Sequence, residues 1–257
     1  MDKVFLKNSA ELNVMRESGR LLASVFAYLD PLVKAGISTM EINDVVERFI
    51  TNELNARPAS KGQYDFPYSL NTSVNDVVCH GMPSATQFLK SGDIINVDIT
   101  LEKNGFIADS SKMYMIGEVS PLAKKLVDKT YEAMWQGIRA VKPGATLGDI
   151  GFAIQQFASA NGYSVVREYC GHGIGRAMHE GPQILHYGKP NSGLVLREGM
   201  TFTIEPMINQ GEAKVKLKRD GWTVVTRDKK LSAQWEHTIA VTADGYEVLT
   251  LRTEERT

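Results

Sequence analysis

The chain repeats itself once, and that repeat restricts what it can fold into. Residues 33–42 (VKAGISTMEI) align with residues 141–150 (VKPGATLGDI), an offset of 108, and residues 89–98 (LKSGDIINVD) align with residues 196–205 (LREGMTFTIE), an offset of 107. Two matches at nearly the same spacing argue for duplicated structure, and a period this long excludes a solenoid, whose units run to about 20–50 residues. The expectation is one domain over 1–257 built as two similar halves, about 1–118 and 119–257, around a pseudo-two-fold axis. Asp98 and Glu205 then occupy equivalent strand positions facing each other across the molecule.

Local signals fill in each half. A helix is expected from an N-cap at about Ser9 through Leu12, Met15, Leu22, Phe26 and Leu29, with Gly36 stopping it. Ser38-Thr39-Met40-Glu41 reads as a capping box opening a second helix with Ile42, Val45, Val46, Phe49 and Ile50 on one stripe. Ser120-Pro121 opens a third, and a fourth runs from Thr146 to Ala160 before Asn161-Gly162. Between the helix pairs the apolar period becomes strand-like.

The chemistry lies in those strands. Asp98 sits in Ile94-Ile95-Asn96-Val97-Asp98-Ile99-Thr100-Leu101, a buried-strand composition. Asn104-Gly105 is a two-residue hairpin signal, and if Lys103 pairs with Phe106, Thr100 lies opposite Asp109 and Asp98 opposite Ser111. Asp98 and Asp109 then share a sheet face as diagonal neighbours; a one-residue slip would separate them. Two buried carboxylates so placed cannot both ionise without a cation between them. Glu205 and Glu236 also end or interrupt apolar alternations, and four such acids call for a shared counter-charge. His172, in Gly171-His172-Gly173-Ile174-Gly175, is the fifth candidate ligand, its glycines allowing close backbone approach. That run lacks the dinucleotide-binding spacing, and His179-Glu180 lacks the second histidine of a zincin. His80 and His179 fall in turn-rich surroundings suited to a pocket rim, whereas His186 and His237 read as core histidines. One imidazole with four carboxylates is an oxygen-rich donor set, suited to manganese, iron(II), cobalt or magnesium, and two such ions could activate water for amide hydrolysis.

Composition excludes other classes. A net charge of -1 gives no bulk attraction to nucleic acid or anionic lipid. The opening Met1-Asp2-Lys3-Val4 does not begin a signal sequence and no run is long enough to span a bilayer, so the chain is expected to be cytoplasmic, without membrane contact. Cys79 and Cys170 are too few for a disulfide framework and read as free thiols.

The segments 75–81 (NDVVCHG), 96–98 (NVD), 108–113 (ADSSKM), 171–175 (GHGIG), 203–206 (TIEP) and 232–238 (SAQWEHT) resemble type I methionine aminopeptidases, and the likeness extends along essentially the whole chain. The resemblance implies an α+β pita-bread fold, with antiparallel sheet and flanking helices in two pseudo-symmetric halves. It also implies two divalent metal ions (cobalt, manganese, iron(II) or zinc): Asp98 on one, His172 and Glu205 on the other, Asp109 and Glu236 bridging. Glu205 would handle the proton of the attacking water, and His80 and His179 would contact the substrate. The implied substrates are N-terminal methionyl peptides and nascent chains, handled by a monomer in contact with the ribosome. Lys214, Lys216 and Lys218 could serve that contact or simply guard an edge strand. The implied methionine pocket is Ser60, Gln63, Phe66, Asn71, Met178 and Trp222. Here the chain departs from the family, which more often has cysteine at the positions of Ser60 and Asn71, tyrosine at that of Gln63 and phenylalanine at that of Met178. Xaa-Pro aminopeptidases and prolidases share the implied fold but usually carry an extra N-terminal domain. A binding protein derived from the fold would be expected to have lost ligands.

Overall fold

The computed structural model describes residues 3–255; Met1 and Asp2, part of the N-terminal stretch read above, lie outside the described residues, as do Arg256 and Thr257. In chain order the elements are α1 (Ser9–Leu29), α2 (Thr39–Arg48), β1 (Arg57–Pro58), β2 (Leu70–Val74), β3 (Val77–Cys79), β4 (Ile94–Lys103) and β5 (Phe106–Met115). There follow α3 (Pro121–Arg139), α4 (Leu147–Ala160), β6 (Ser164–Val165), β7 (Gly171–Gly173), β8 (Glu180–Ile184), β9 (Thr201–Ile204) and β10 (Met207–Asn209). The last are β11 (Val215–Leu217), β12 (Val224–Thr226), β13 (Ser232–Gln234), β14 (His237–Val241) and β15 (Tyr246–Val248). All the strand pairings among them are antiparallel. No helix among the described residues is long and apolar enough to cross a membrane.

Helix boundaries follow capping chemistry, with two corrections. Asn8, not Ser9, caps α1: its side chain accepts from the Glu11 N–H while the Glu11 carboxylate accepts from the Asn8 N–H. Asparagine places its carbonyl oxygen where the capping box needs an acceptor. The helix also ends at Leu29, well before Gly36, because Pro31 has no N–H to continue the ladder. Gly36, at φ +94°, instead shapes the turn into α2. Ser38 and Ser120 cap α2 and α3 as expected, and α4 begins one residue later than expected, with Thr146 as its N-cap.

The period of β4 separates core from site. Ile95, Val97, Ile99 and Leu101 on one face are buried with Leu22, Phe26, Ile42 and Val46 from α1 and α2. Asn96, Asp98 and Thr100 point the other way. The β4–β5 register is the one expected from the hairpin, with Thr100 opposite Asp109 and Asp98 opposite Ser111. In β9, Phe202 and Ile204 pack with Met134, Ile150 and Ile154 of α3 and α4, leaving Thr203 and Glu205 for the opposite face.

The repeated segments make the same backbone contacts in both places. Gly36 N donates to Leu89 O at 2.8 Å, and Gly144 N donates to Leu196 O at 3.0 Å. Ser38 bridges Phe88 as Thr146 bridges Val195. The two sets of elements are joined along β5: Ser111 bridges Glu236, the Ser110 hydroxyl donates to Glu236 O at 2.7 Å, and Asp109 N donates to the Thr238 hydroxyl at 3.0 Å. Asn96 adds a cross-link, its amide donating to Gln234 O at 2.7 Å and the Ser111 hydroxyl at 2.9 Å. Asn96→Ala removes both bonds from a buried junction, and the expected loss is about 2–3 kcal/mol of unfolding free energy by urea denaturation.

Candidate metal centre

Five side chains converge on the seam where the two sets of strands meet. Asp98 and Asp109 come from neighbouring strands of the β4–β5 hairpin, close enough to share a proton. Donor atoms of Asp109, His172 and Glu236 all lie within 4.8 Å of one another. His172 Nε2 is 3.5 Å from Glu205 Oε1 and 3.8 Å from Asp109 Oδ2. Asp109 thus lies close to His172 and Glu236, and its charge is felt together with those of Asp98 and Glu205.

The electrostatics follow from crowding. Burial pushes all four carboxyls upward, and repulsion from the other acids adds to it for Asp109, Glu205 and Glu236: Asp98 rises to about 6, Glu205 to about 8, and Asp109 and Glu236 well above the usual carboxylate range. Asp109 Oδ1 is buried and has no hydrogen-bond partner among the described residues, an expensive arrangement for an acceptor that a cation would relieve. Burial lowers His172 to about 3 and so keeps it neutral. Its Nδ1 lies 3.0 Å from Gly173 O, which can only accept, so Nδ1 carries the proton and Nε2 offers its lone pair toward the carboxylates. This is the tautomer a metal ligand needs. The donor set fits a hard or borderline divalent ion.

Supporting groups orient the acids. Thr203 donates to Glu205 Oε1 at 2.7 Å and Gln234 to Glu205 Oε2 at 3.3 Å, while Glu205 N donates to buried His186 at 3.2 Å. The glycines beside His172 are steric necessities. A Cβ on Gly173 would meet Gly181 O at 2.1 Å, and one on Gly171 would meet Thr203 O at 2.4 Å. Behind the seam, Arg252 is almost fully buried and donates to the Ser110 hydroxyl and Ser111 O, beside His237 and Glu255.

A cavity of about 960 Å³ opens onto these acids, and Ser60, Gln63, Phe66, Asn71, Met178, Trp222, His80 and His179 all line it. Phe66 and Trp222 meet edge to face at 5.0 Å. Asn71, expected as a wall of the methionine pocket, has its amide directed at Asp98 Oδ2, 3.2 Å away, and so supports that carboxylate. The Ser60 hydroxyl is likewise taken, paired with Thr100. Burial lowers His80 to about 4 and lowers His179 as well, leaving both neutral.

Several contributing residues carried no recognisable signal. Lys7 forms a buried ion pair with Glu180, whose other oxygen accepts from Arg176 N and Ala177 N; the N-terminal segment is thereby pinned to the loop holding Met178 and His179. Arg252 and Gln234 reach the site through packing partners far away in sequence. Tyr64, in a short turn, contacts His179.

The chain belongs to metallopeptidase family M24, whose model matches residues 13–243. Its curated relatives within that family include methionine aminopeptidases. It is 48% identical over 252 residues to the methionine aminopeptidase of Escherichia coli (strain K12), covering 98% of this chain and 96% of that protein. The crystal structure of methionine aminopeptidase from Rickettsia prowazekii superposes with a TM-score of 0.95 at 49% identity, covering 97% of this chain and 100% of that one. A prolidase from Pyrococcus furiosus shares the fold, with a TM-score of 0.76 at 20% identity over 96% of this chain and 65% of that one. The architecture is the pita-bread fold, an α+β arrangement, and the family's chemistry depends on divalent metal.

Without bound cation the crowded acids make stability depend on pH in a defined direction. Above about pH 7.5, one unit over the ordinary histidine value of 6.5, histidines are almost wholly neutral in both folded and unfolded chains, so the carboxyls decide. Glu205, ordinarily 4.5 and raised to about 8, keeps a proton in the folded chain that the unfolded chain has lost, so stability falls as pH rises through about 8, from about 7.5 to about 8.5. Chelator-treated protein should show a decreasing Tm over that range, reversed by adding manganese; a Tm that rises with pH would contradict the crowding.

Proposed function

We propose that this chain removes the initiator methionine from new polypeptides, with two divalent ions held by Asp98, Asp109, His172, Glu205 and Glu236. The observation that carries this reading is the convergence of four carboxyls and a lone-pair imidazole at the end of a cavity walled by Phe66, Met178 and Trp222. Near 50% identity to methionine aminopeptidases along almost the whole chain supports it. In this reading Asp98 would hold one ion and His172 and Glu205 the other, and Asp109 and Glu236, which lie close to His172, would serve both. The catalytic domain is one unit, with halves of about 1–118 and 119–257.

Two such ions would lower the pKa of a shared water and polarise the scissile carbonyl. Glu205, held by Thr203 and Gln234, accepts the water's proton as oxygen attacks the carbonyl carbon, then delivers it to the leaving amine as the C–N bond breaks. His179 and His80, neutral and on the cavity wall, donate hydrogen bonds to the substrate and to the oxyanion of the tetrahedral intermediate. Phe66 and Trp222 supply aromatic faces to the methionine thioether, with the flexible thioether of Met178 packed alongside.

The enzyme is read as a cytoplasmic monomer, its two cysteines free. Lys216 lies on β11, an exposed sheet edge, between Lys214 and Lys218. All three are exposed, which suits both edge protection and contact with ribosomal RNA. The likeness to prolidases carries the fold alone, and the complete ligand set speaks against a binding protein.

Chelation should abolish hydrolysis of a methionyl tripeptide, and manganese, cobalt or iron(II) should restore it. Asp109→Ala should lose at least about 100-fold in kcat, with bound metal reduced by elemental analysis and the circular dichroism spectrum unchanged. Full turnover by protein shown to be metal-free would overturn the mechanism.

Pocket selectivity is separable from metal binding, because Asn71 is committed to Asp98 whereas Met178 is not. The wild type is expected to favour methionine over norleucine by less than about 10-fold in kcat/KM, and Met178→Phe to shift that ratio by up to about 10-fold. Strict methionine selectivity in both proteins would show that Met178 does not shape the pocket.

A further inference from the structure

Tyr64 is a large aromatic residue with no part in the chemistry above, yet it is held against one of its members. The side chain is 66% exposed, and its backbone, like that of Asp65, adopts the left-handed region, at φ +49° and +66°. That conformation is unfavourable for residues with a Cβ and persists only where surrounding structure imposes it. Here it brings the phenol ring nearly parallel to the His179 imidazole, 7° between planes and 5.6 Å between centroids, with the hydroxyl oxygen 3.2 Å from Nδ1. From another direction His179 meets the His172 ring edge to face at 4.4 Å, and its neighbour Glu180 is anchored by Lys7.

A neutral imidazole has a single N–H to place. If Nδ1 carries it, the donor is spent on the tyrosine oxygen; if Nε2 carries it, the donor is free for the cavity. A phenol is the better acid of the two groups and an imidazole nitrogen the better base, so O–H···N is the favoured direction of this hydrogen bond. We propose that Tyr64 is a positioning residue: its hydroxyl donates to His179 Nδ1 and its ring fixes the imidazole plane, so that His179 presents Nε2–H to the substrate. This inference rests on the reading of the chain as an aminopeptidase in which His179 is a donor.

The test is nitrogen-15 NMR of ring-labelled histidines in zinc-loaded protein, with His179 assigned through His179→Gln, together with kinetics on a methionyl tripeptide. In the wild type, Nδ1 of His179 should resonate as an unprotonated acceptor and Nε2 as an N–H. Tyr64→Phe preserves the ring at an exposed site but removes the hydroxyl. It should mix the two tautomers and lower kcat about 3-fold to 10-fold, with KM changed less than about 2-fold. An Nδ1–H tautomer in the wild type, unchanged His179 shifts in Tyr64→Phe, or an altered tautomer with unaltered kcat would each overturn the proposal. Absence of any turnover of methionyl peptides by the metal-loaded wild type would instead remove the aminopeptidase reading, and the spectra would still decide the tautomer.

Discussion

Four carboxyl groups crowded at one seam, in surroundings that solvate charge poorly, set the terms for the rest of this molecule. Each of Asp98, Asp109, Glu205 and Glu236 is pushed toward its protonated form by burial and, in most cases, by the other acids. Such a cluster is unfavourable for folding unless something of opposite charge shares it. The hydrogen bonds around the cluster neutralise little of that repulsion: Thr203, Gln234 and Asn71 orient single oxygens, and one oxygen of Asp109 has no partner among the described residues. Divalent cations answer the imbalance in the way a metallopeptidase requires.

Two-fold repetition explains how one chain can assemble such a cluster without a dedicated loop for each acid. Each half turns its apolar strand face to its own helix pair, leaving the alternate face, with Asp98 in one and Glu205 in the other, for the seam. The halves are then locked by bonds made almost on top of the acids, including the mutual pairing of Ser111 with Glu236 and of Asp109 with Thr238. Rigidity and chemistry share the same few residues. A small displacement at the seam would therefore change the ligand geometry directly.

Around the acids, the histidines are prepared by different means. A backbone carbonyl sets the proton of His172, burial keeps His80 neutral, and Tyr64 approaches His179 from a strained turn. The side-chain cavity shows a comparable division: Asn71 and Ser60 line it but are occupied by Asp98 and Thr100, so they present less free polarity to a ligand than their amide and hydroxyl would suggest. Of the pocket residues expected from the sequence, Phe66, Trp222 and Met178 then supply the apolar surface.

Much of this was legible in the sequence because it depends on local periodicity. Asn104-Gly105 defines the hairpin and hence the register that puts Asp98 and Asp109 on one face, and the capping box at Ser38 and the Ser120-Pro121 pair define helix starts. Where several local acceptors competed, the reading failed by one residue at Asn8, and it overlooked the missing N–H of Pro31. Short-range rules could place each candidate acid in a strand and expose the internal repeat. They could not place Lys7 against Glu180, Arg252 behind Ser110, Gln234 on Glu205 or Tyr64 on His179, because those contacts join segments separated by long stretches of chain. Periodicity and turn chemistry decided which face each acid occupies; only the tertiary packing of the two halves decided what stands beside it, since a side chain's partners across a seam leave no mark on the spacing of its neighbours.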